Sequence, residues 1–128
     1  MSLILLVEDQ AICREPLAKL LRYEGFEVAT AVNGVEALKV LESSPVDLML
    51  LDLILPKMSG LALLEAVRHH PRWNAMPVIA LTGLMDSSQI ARVSELSVSD
   101  IFSKMRFSIE DLLGSIRKAM PSAPPLAV

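Results

Sequence analysis

The stretch LMLLDLILP, Leu48 to Pro56, sets one acid inside an apolar run. With the preceding residues it makes VDLMLL (Val46 to Leu51), nearly all apolar and closed by Asp52. A strand covered on one face alternates in polarity, so a continuous run suits a central strand of a parallel sheet, covered on both faces. Three other segments read alike: LILLV (Leu3 to Val7), PVIAL (Pro77 to Leu81) and the more alternating FEVATA (Phe26 to Ala31). A weaker fifth, DIFS (Asp100 to Ser103), follows.

Between these runs the period becomes helical. Ile109, Leu112, Leu113, Ile116 and Met120 fall on one face of the last segment, and Leu17, Leu20 and Leu21 on one face of the first, which Gly25 is placed to end. Asn33 with Glu36, Asp86 with Gln89, and Ser108 with Asp111 have the spacing of capping boxes, in which a side chain accepts from an orphan amide at a helix start. Pro45 and Pro71 mark the ends of two helices. A β-α unit repeated five times predicts an α/β fold, with a parallel sheet, right-handed crossovers and helices on both faces.

A chain of 128 residues, 52% apolar, suits one domain around one core. That domain is expected over residues 1–120, and PSAPPLAV (121–128) reads as a proline-rich tail or linker. A net charge of −3 supplies no basic field for phosphate backbones, which argues against direct nucleic-acid binding. MSLILLV is too short for a signal peptide and no apolar run could span a bilayer, so no membrane partner and a cytoplasmic location are expected. Cys13 is the only cysteine and reads as a small buried hydrophobe, leaving no disulfide and no thiolate metal site.

The polar residues then fall into place. In an open parallel sheet, ligands bind beyond the carboxyl ends of the strands, where the strand order reverses. Glu8 and Asp9 follow the first strand, Asp52 ends the third, Thr82 follows the fourth and Lys104 the fifth. Each alone has an ordinary reading as loop, turn or solvated residue; their coincidence on one rim does not. A carboxylate at the end of a buried strand costs desolvation energy unless it is paired. Three clustered carboxylates repel one another unless a cation joins them, and a hard divalent ion such as Mg²⁺ takes such oxygens together with those of a phosphate. The set fits phosphoryl transfer. Asp52 is the candidate nucleophile, Lys104 the cation that spreads charge on the transferring oxygens, and Thr82 a hydroxyl donor.

These residues resemble a known family, the receiver domains of bacterial two-component response regulators, over Leu3 to about Met120. The matching motifs are LVEDQ, LLDLILPKMSG with its Pro56 and Gly60, PVIALTG and DIFSK. The resemblance implies the flavodoxin-like strand order 2-1-3-4-5 and phosphorylation of Asp52. It also implies that Mg²⁺ is ligated by Asp9, Asp52 and the backbone carbonyl of Ile54, with Glu8 acting largely through water. Thr82 and Lys104 would contact the phosphoryl group and relay its presence to the surface of the fourth helix, fifth strand and fifth helix. The implied donors are a histidine kinase or a histidine phosphotransfer protein; the implied output is another protein or a linked effector domain. Some positions depart from the pattern. Met105 replaces the usual proline after the lysine, Ile101 replaces the aromatic residue of the output surface, and LSVSD lacks the common Gly-Ala. Ile54 and Leu84, apolar at the positions flanking an incoming water, imply slow hydrolysis of the acyl phosphate.

Other classes fit less well. A haloacid-dehalogenase-type phosphatase needs a second Asp two residues after the first, where Ile54 stands, and a nucleotide-binding enzyme needs a glycine-rich loop that VEDQAICR lacks. A receiver-like module that binds partners without phosphorylation remains the alternative. In RHHPRWNAMP, His69 and His70 are not expected to bind metal and Trp73 is expected to pack over its loop; Met49, Met58 and Met76 read as filler.

Overall fold

The computed structural model describes residues 2–55, 57–83, 87–104 and 106–120. Strands and helices alternate as β1 (Leu3–Val7), α1 (Ala11–Tyr23), β2 (Glu27–Ala31), α2 (Gly34–Ser43) and β3 (Leu48–Asp52). They continue as α3 (Gly60–Arg68), β4 (Val78–Thr82), α4 (Ser87–Glu95), β5 (Asp100–Ser103) and α5 (Ile109–Ala119). The five strands form one parallel sheet in the order β2-β1-β3-β4-β5. This is the expected flavodoxin-like fold.

The continuous apolar runs are explained by two cores, one on each sheet face. Leu5, Val7, Met49, Leu51, Val78 and Ala80 point toward α2, α3 and α4, where Leu41, Leu63, Leu64, Val67 and Val93 meet them. Their neighbours Ile4, Leu6, Leu48, Leu50 and Ile79 point the other way, against Ala18 and Leu21 of α1 and Leu112, Leu113 and Ile116 of α5. Burying a Leu or Ile side chain fully is worth about 1.5–3 kcal/mol, so a strand that feeds both cores has no position to give to a polar residue. Asp47, the one polar interruption before β3, instead lies ahead of the strand, its Oδ2 accepting from the Leu3 amide at 2.8 Å.

Local signals account for the helix ends. Gly25 takes φ 96°, and the amides of Gly25 and Phe26 donate to the carbonyls of Arg22 (3.1 Å) and Leu21 (3.1 Å). That pair of bonds is a Schellman motif, with Phe26 packing into the same core as Leu21. Asn33 and Ser108 cap α2 and α5 by accepting from Glu36 and Asp111 amides, as expected. Ser59 caps α3 through the Ala62 amide, a start that has no capping-box partner in the sequence.

Some expectations need correction. Pro77 precedes β4, because it has no N–H for the ladder, and Thr82 is the last residue of the strand. β2 and β3 start one and two residues later than read, at Glu27 and Leu48. Ile109 is 41% exposed, since the apolar face of α5 begins only at Leu112. Trp73 is 9% exposed and belongs to the α2–α3–α4 core, with His70 stacked on it at 3.7 Å. The cap assigned to Asp86, the positions of Pro56, Leu84 and Met105, and the tail 121–128 lie outside the described residues. No helix among the described residues is long and apolar enough to cross a membrane.

Candidate functional site

The order of strands reverses between β1 and β3, which pair directly with Val7 opposite Leu51. That register brings Glu8 beside Asp52. On the other side Asp52 pairs with Leu81, and Thr82 with Ser103, so Thr82 and Lys104 emerge on the same rim. A backbone bond from the Lys104 amide to the Thr82 carbonyl, 2.7 Å, extends the ladder one residue past the strand ends.

The side chains converge. Lys104 Nζ lies 2.7 Å from Glu8 Oε1 and 3.0 Å from Asp52 Oδ2. Glu8 and Asp52 are each 2% exposed, whereas Asp9 stands at the open edge. The second oxygen of each buried acid is used locally: Glu8 Oε2 accepts from the Gln10 amide at 3.1 Å and Asp52 Oδ1 from the Ile54 amide at 3.1 Å. One carboxylate oxygen from each of Glu8, Asp9 and Asp52 can be chosen so that all three lie within 4.8 Å of one another. Burial works to lower the Lys104 pKa, but hydrogen bonds and charge attraction from Glu8 and Asp52 outweigh it and hold the ammonium above the ordinary lysine range.

Thr82 is buried, and among the described residues its hydroxyl makes one long 3.5 Å bond, to the Gly83 carbonyl, a weak tie that a group entering the rim could replace. Ile54 follows Asp52 at the surface, 59% exposed. Ile101 is half-buried against the α2–α3–α4 core, on the face that carries Val93 and Leu96. Behind the acid, the motif glycine has a steric reason. A Cβ on Gly60 would stand 2.3 Å from the Asp52 carbonyl oxygen and 2.4 Å from Leu53 Cα, so the start of α3 abuts the end of β3 with no room for a methyl group. The Gly60 amide donates to the Leu53 carbonyl there at 3.1 Å.

The structure thus places Glu8, Asp9, Asp52 and Lys104 together, with Thr82 on the same rim. Sequence reasoning missed Arg14, which reaches back from α1 to the carbonyls of Glu8 (3.0 Å) and Asp9 (3.2 Å). The residues fit a divalent cation by the chemistry of their donors: three carboxylates face one ammonium, and hard oxygens in that excess suit Mg²⁺.

Comparison with known proteins follows the same outline. A family model described as response regulator receiver domain matches residues 4–117. The chain is 38% identical over 122 residues to the sensory transduction protein RegX3 of Mycolicibacterium smegmatis, covering 94% of this chain and 51% of that protein. It spans about half the length of the first curated relatives it matches. The crystal structure of a response regulator receiver protein from Pseudomonas putida superposes with a TM-score of 0.87 at 30% identity, covering 91% of this chain and 96% of that one. The Mn²⁺-bound form of response regulator Rcp1 gives 0.78 at 26% identity, with both chains fully covered.

Proposed function

This chain belongs to the receiver domain family of two-component response regulators, and from that premise we propose that Asp52 is its phosphoacceptor, working with Mg²⁺. The observation that carries the proposal is the placement of Asp52: a carboxylate 2% exposed, at the end of the central strand, with an ammonium at 3.0 Å and two further acids beside it. An Asp52 oxygen attacks the phosphorus of a phosphohistidine on a histidine kinase or a histidine phosphotransfer protein. The P–N bond breaks with its electron pair going to the imidazole, and an acyl phosphate forms. Glu8, Asp9, Asp52 and the Ile54 carbonyl would hold the ion. A Mg²⁺ there supplies hard positive charge next to the transferring oxygens.

The chain's own residues do the rest. Lys104 leaves one of its two carboxylate partners to meet a phosphoryl oxygen, and the Thr82 hydroxyl donates to another. Their movement is the signal that changes binding of a downstream protein or linked effector domain. The later loss of phosphate to water uses the same site. A cytoplasmic location and the absence of direct nucleic-acid contact by this chain belong to the same reading. The relative Rcp1, in its Mn²⁺-bound form, supports a divalent ion here by analogy.

Intact-mass measurement tests the proposal. Acetyl phosphate with Mg²⁺ should add the mass of one phosphate to the wild type. Asp52→Asn, or chelation of the metal, should abolish the increment. An undiminished increment in Asp52→Asn would overturn the assignment, and no increment in the wild type from any donor would favour a module that acts without phosphorylation.

A further inference from the structure

Glu8, Asp9 and Gln10 make up the whole connection between β1 and α1. Helices α2, α3 and α5 begin on a capping side chain, but α1 begins at Gln10 with no side-chain cap and no acid in its first turn. The two carboxylates that stand next to this helix start belong to the acidic cluster instead. Glu8 Oε2 accepts from the Gln10 amide within the turn at 3.1 Å, but the turn's two carbonyls are held by a residue of the helix.

That residue is Arg14, one turn into α1. Its Nη1 donates to the carbonyls of both Glu8 and Asp9, at 3.0 and 3.2 Å. Its Nη2 lies 3.5 Å from the exposed carboxylate of Glu15, and the Arg14 side chain is 15% exposed. A guanidinium is planar and keeps its charge, so two carbonyls bonded to one of its nitrogens have little freedom to turn. We infer that Arg14 is a positioning residue for the divalent-ion site, fixing through the carbonyls of Glu8 and Asp9 the turn that aims their carboxylates at the ion. The inference rests on the divalent-ion reading of the site given above. Without Arg14 these carbonyls bond to water; the Glu8 carboxylate keeps its bonds to Lys104 and the Gln10 amide, but the turn that aims Asp9 is no longer fixed. Ion affinity falls, while the reacting groups on Asp52, Thr82 and Lys104 are untouched.

The test uses titration calorimetry with MgCl₂ and, separately, the Mg²⁺ dependence of phosphorylation by acetyl phosphate, for wild type, Arg14→Met and Arg14→Lys. Removing partners that orient metal ligands typically weakens binding 10–100-fold, so Arg14→Met should weaken Mg²⁺ binding roughly tenfold and leave the rate at saturating Mg²⁺ within about twofold. Arg14→Lys keeps a cation but lacks the planar fork, and should recover part of the loss. If Arg14→Met does not fold, the Lys variant carries the comparison, with several-fold weaker binding expected. Wild-type affinity in both variants overturns the inference. So does a fall in the saturated rate at unchanged affinity, because Arg14 would then act on the reacting groups. Failure of the wild type itself to bind Mg²⁺ overturns the divalent-ion reading and this inference with it, a result distinct from the others.

Discussion

Lys57 and Ser97 hold backbone angles that a side chain resists, φ 65° and 59°. Left-handed backbone costs an L-residue roughly 1–2 kcal/mol, and both side chains are exposed, so neither recovers the cost by burial. Glycine relieves the strain but adds freedom to the unfolded chain, which offsets part of the gain. Lys57→Gly and Ser97→Gly should each stabilise the protein by about 0.5–1 kcal/mol, read as a higher urea midpoint at constant m. An unchanged or lower midpoint would mean that these turns relax at no cost. Ser97 also clarifies the departure noted in LSVSD: the residue differs from glycine, yet the backbone keeps a conformation suited to it. Residues of the acidic rim were legible in the sequence because each acid, hydroxyl or lysine stands out at the end of an apolar run. Arg14 and Arg68 were not. An arginine on an amphipathic helix reads as a solvated residue, and the carbonyls it holds carry no mark in the sequence.

At the scale of elements, Arg68 joins the end of α3 to the residues that follow α4. From the end of α3 its Nε donates to the Leu96 carbonyl at 2.7 Å and its Nη1 to the Met76 carbonyl at 2.8 Å, with a longer bond from Nη2 to Ser97 at 3.4 Å. Burial lowers the Arg68 pKa, and the ring of carbonyls favours the charge that burial opposes. Arg92 of α4 also meets Glu65 of α3 at 3.1 Å, a half-exposed pair worth little by itself. The C-terminal end of α4 is therefore tied to α3, whereas its first turn lies toward the Thr82 rim. Addition of beryllofluoride and Mg²⁺ should shift amide resonances most at Thr82, Gly83 and the start of α4, fading toward Glu95. Arg68→Met should abolish the fading and cost about 1.5–3 kcal/mol of stability, the usual worth of hydrogen bonds to a charged group. Shifts spread evenly along wild-type α4 would exclude a hinge at this end. Ile101 carries no ring that could rotate, so on the proposed function the change is expected in the helix itself. Caps on Asn33 and Ser108 could be read because each has an acid three residues on; Ser59 could not, since Ala62 stands there. The exposure of Ile109 was missed because its spacing continues the apolar period of α5 back to the cap.

Across the whole molecule, the fold was legible because strands covered on both faces have a signature of their own, and four of the five strands carry it to some degree. Their ends were less so: whether Thr82 closes β4 or follows it depends on pairing with Ser103, a partner far away in sequence. The same architecture sets function against stability. Among the described residues three carboxylates share the rim with one ammonium, and Asp9, exposed and outside the Lys104 bridge, adds like charge that a bound ion would offset. Asp9→Asn should raise the melting temperature of metal-free protein by a few degrees and remove the rise that Mg²⁺ produces in the wild type. A melting curve of Asp9→Asn that still climbs with Mg²⁺ would show that the ion does not need this ligand. One feature reaches beyond the site. Each of the five residues of β3 is buried, and the strand is paired on both sides. The conformational entropy of holding the Asp52 backbone in place is lost when the chain folds, not when a donor arrives. On the proposed function, a donor would meet a carboxylate already aligned and have only its own orientation to lose, so once Mg²⁺ is bound even a molecule as small as acetyl phosphate, with no protein surface to dock, would need only access to the rim.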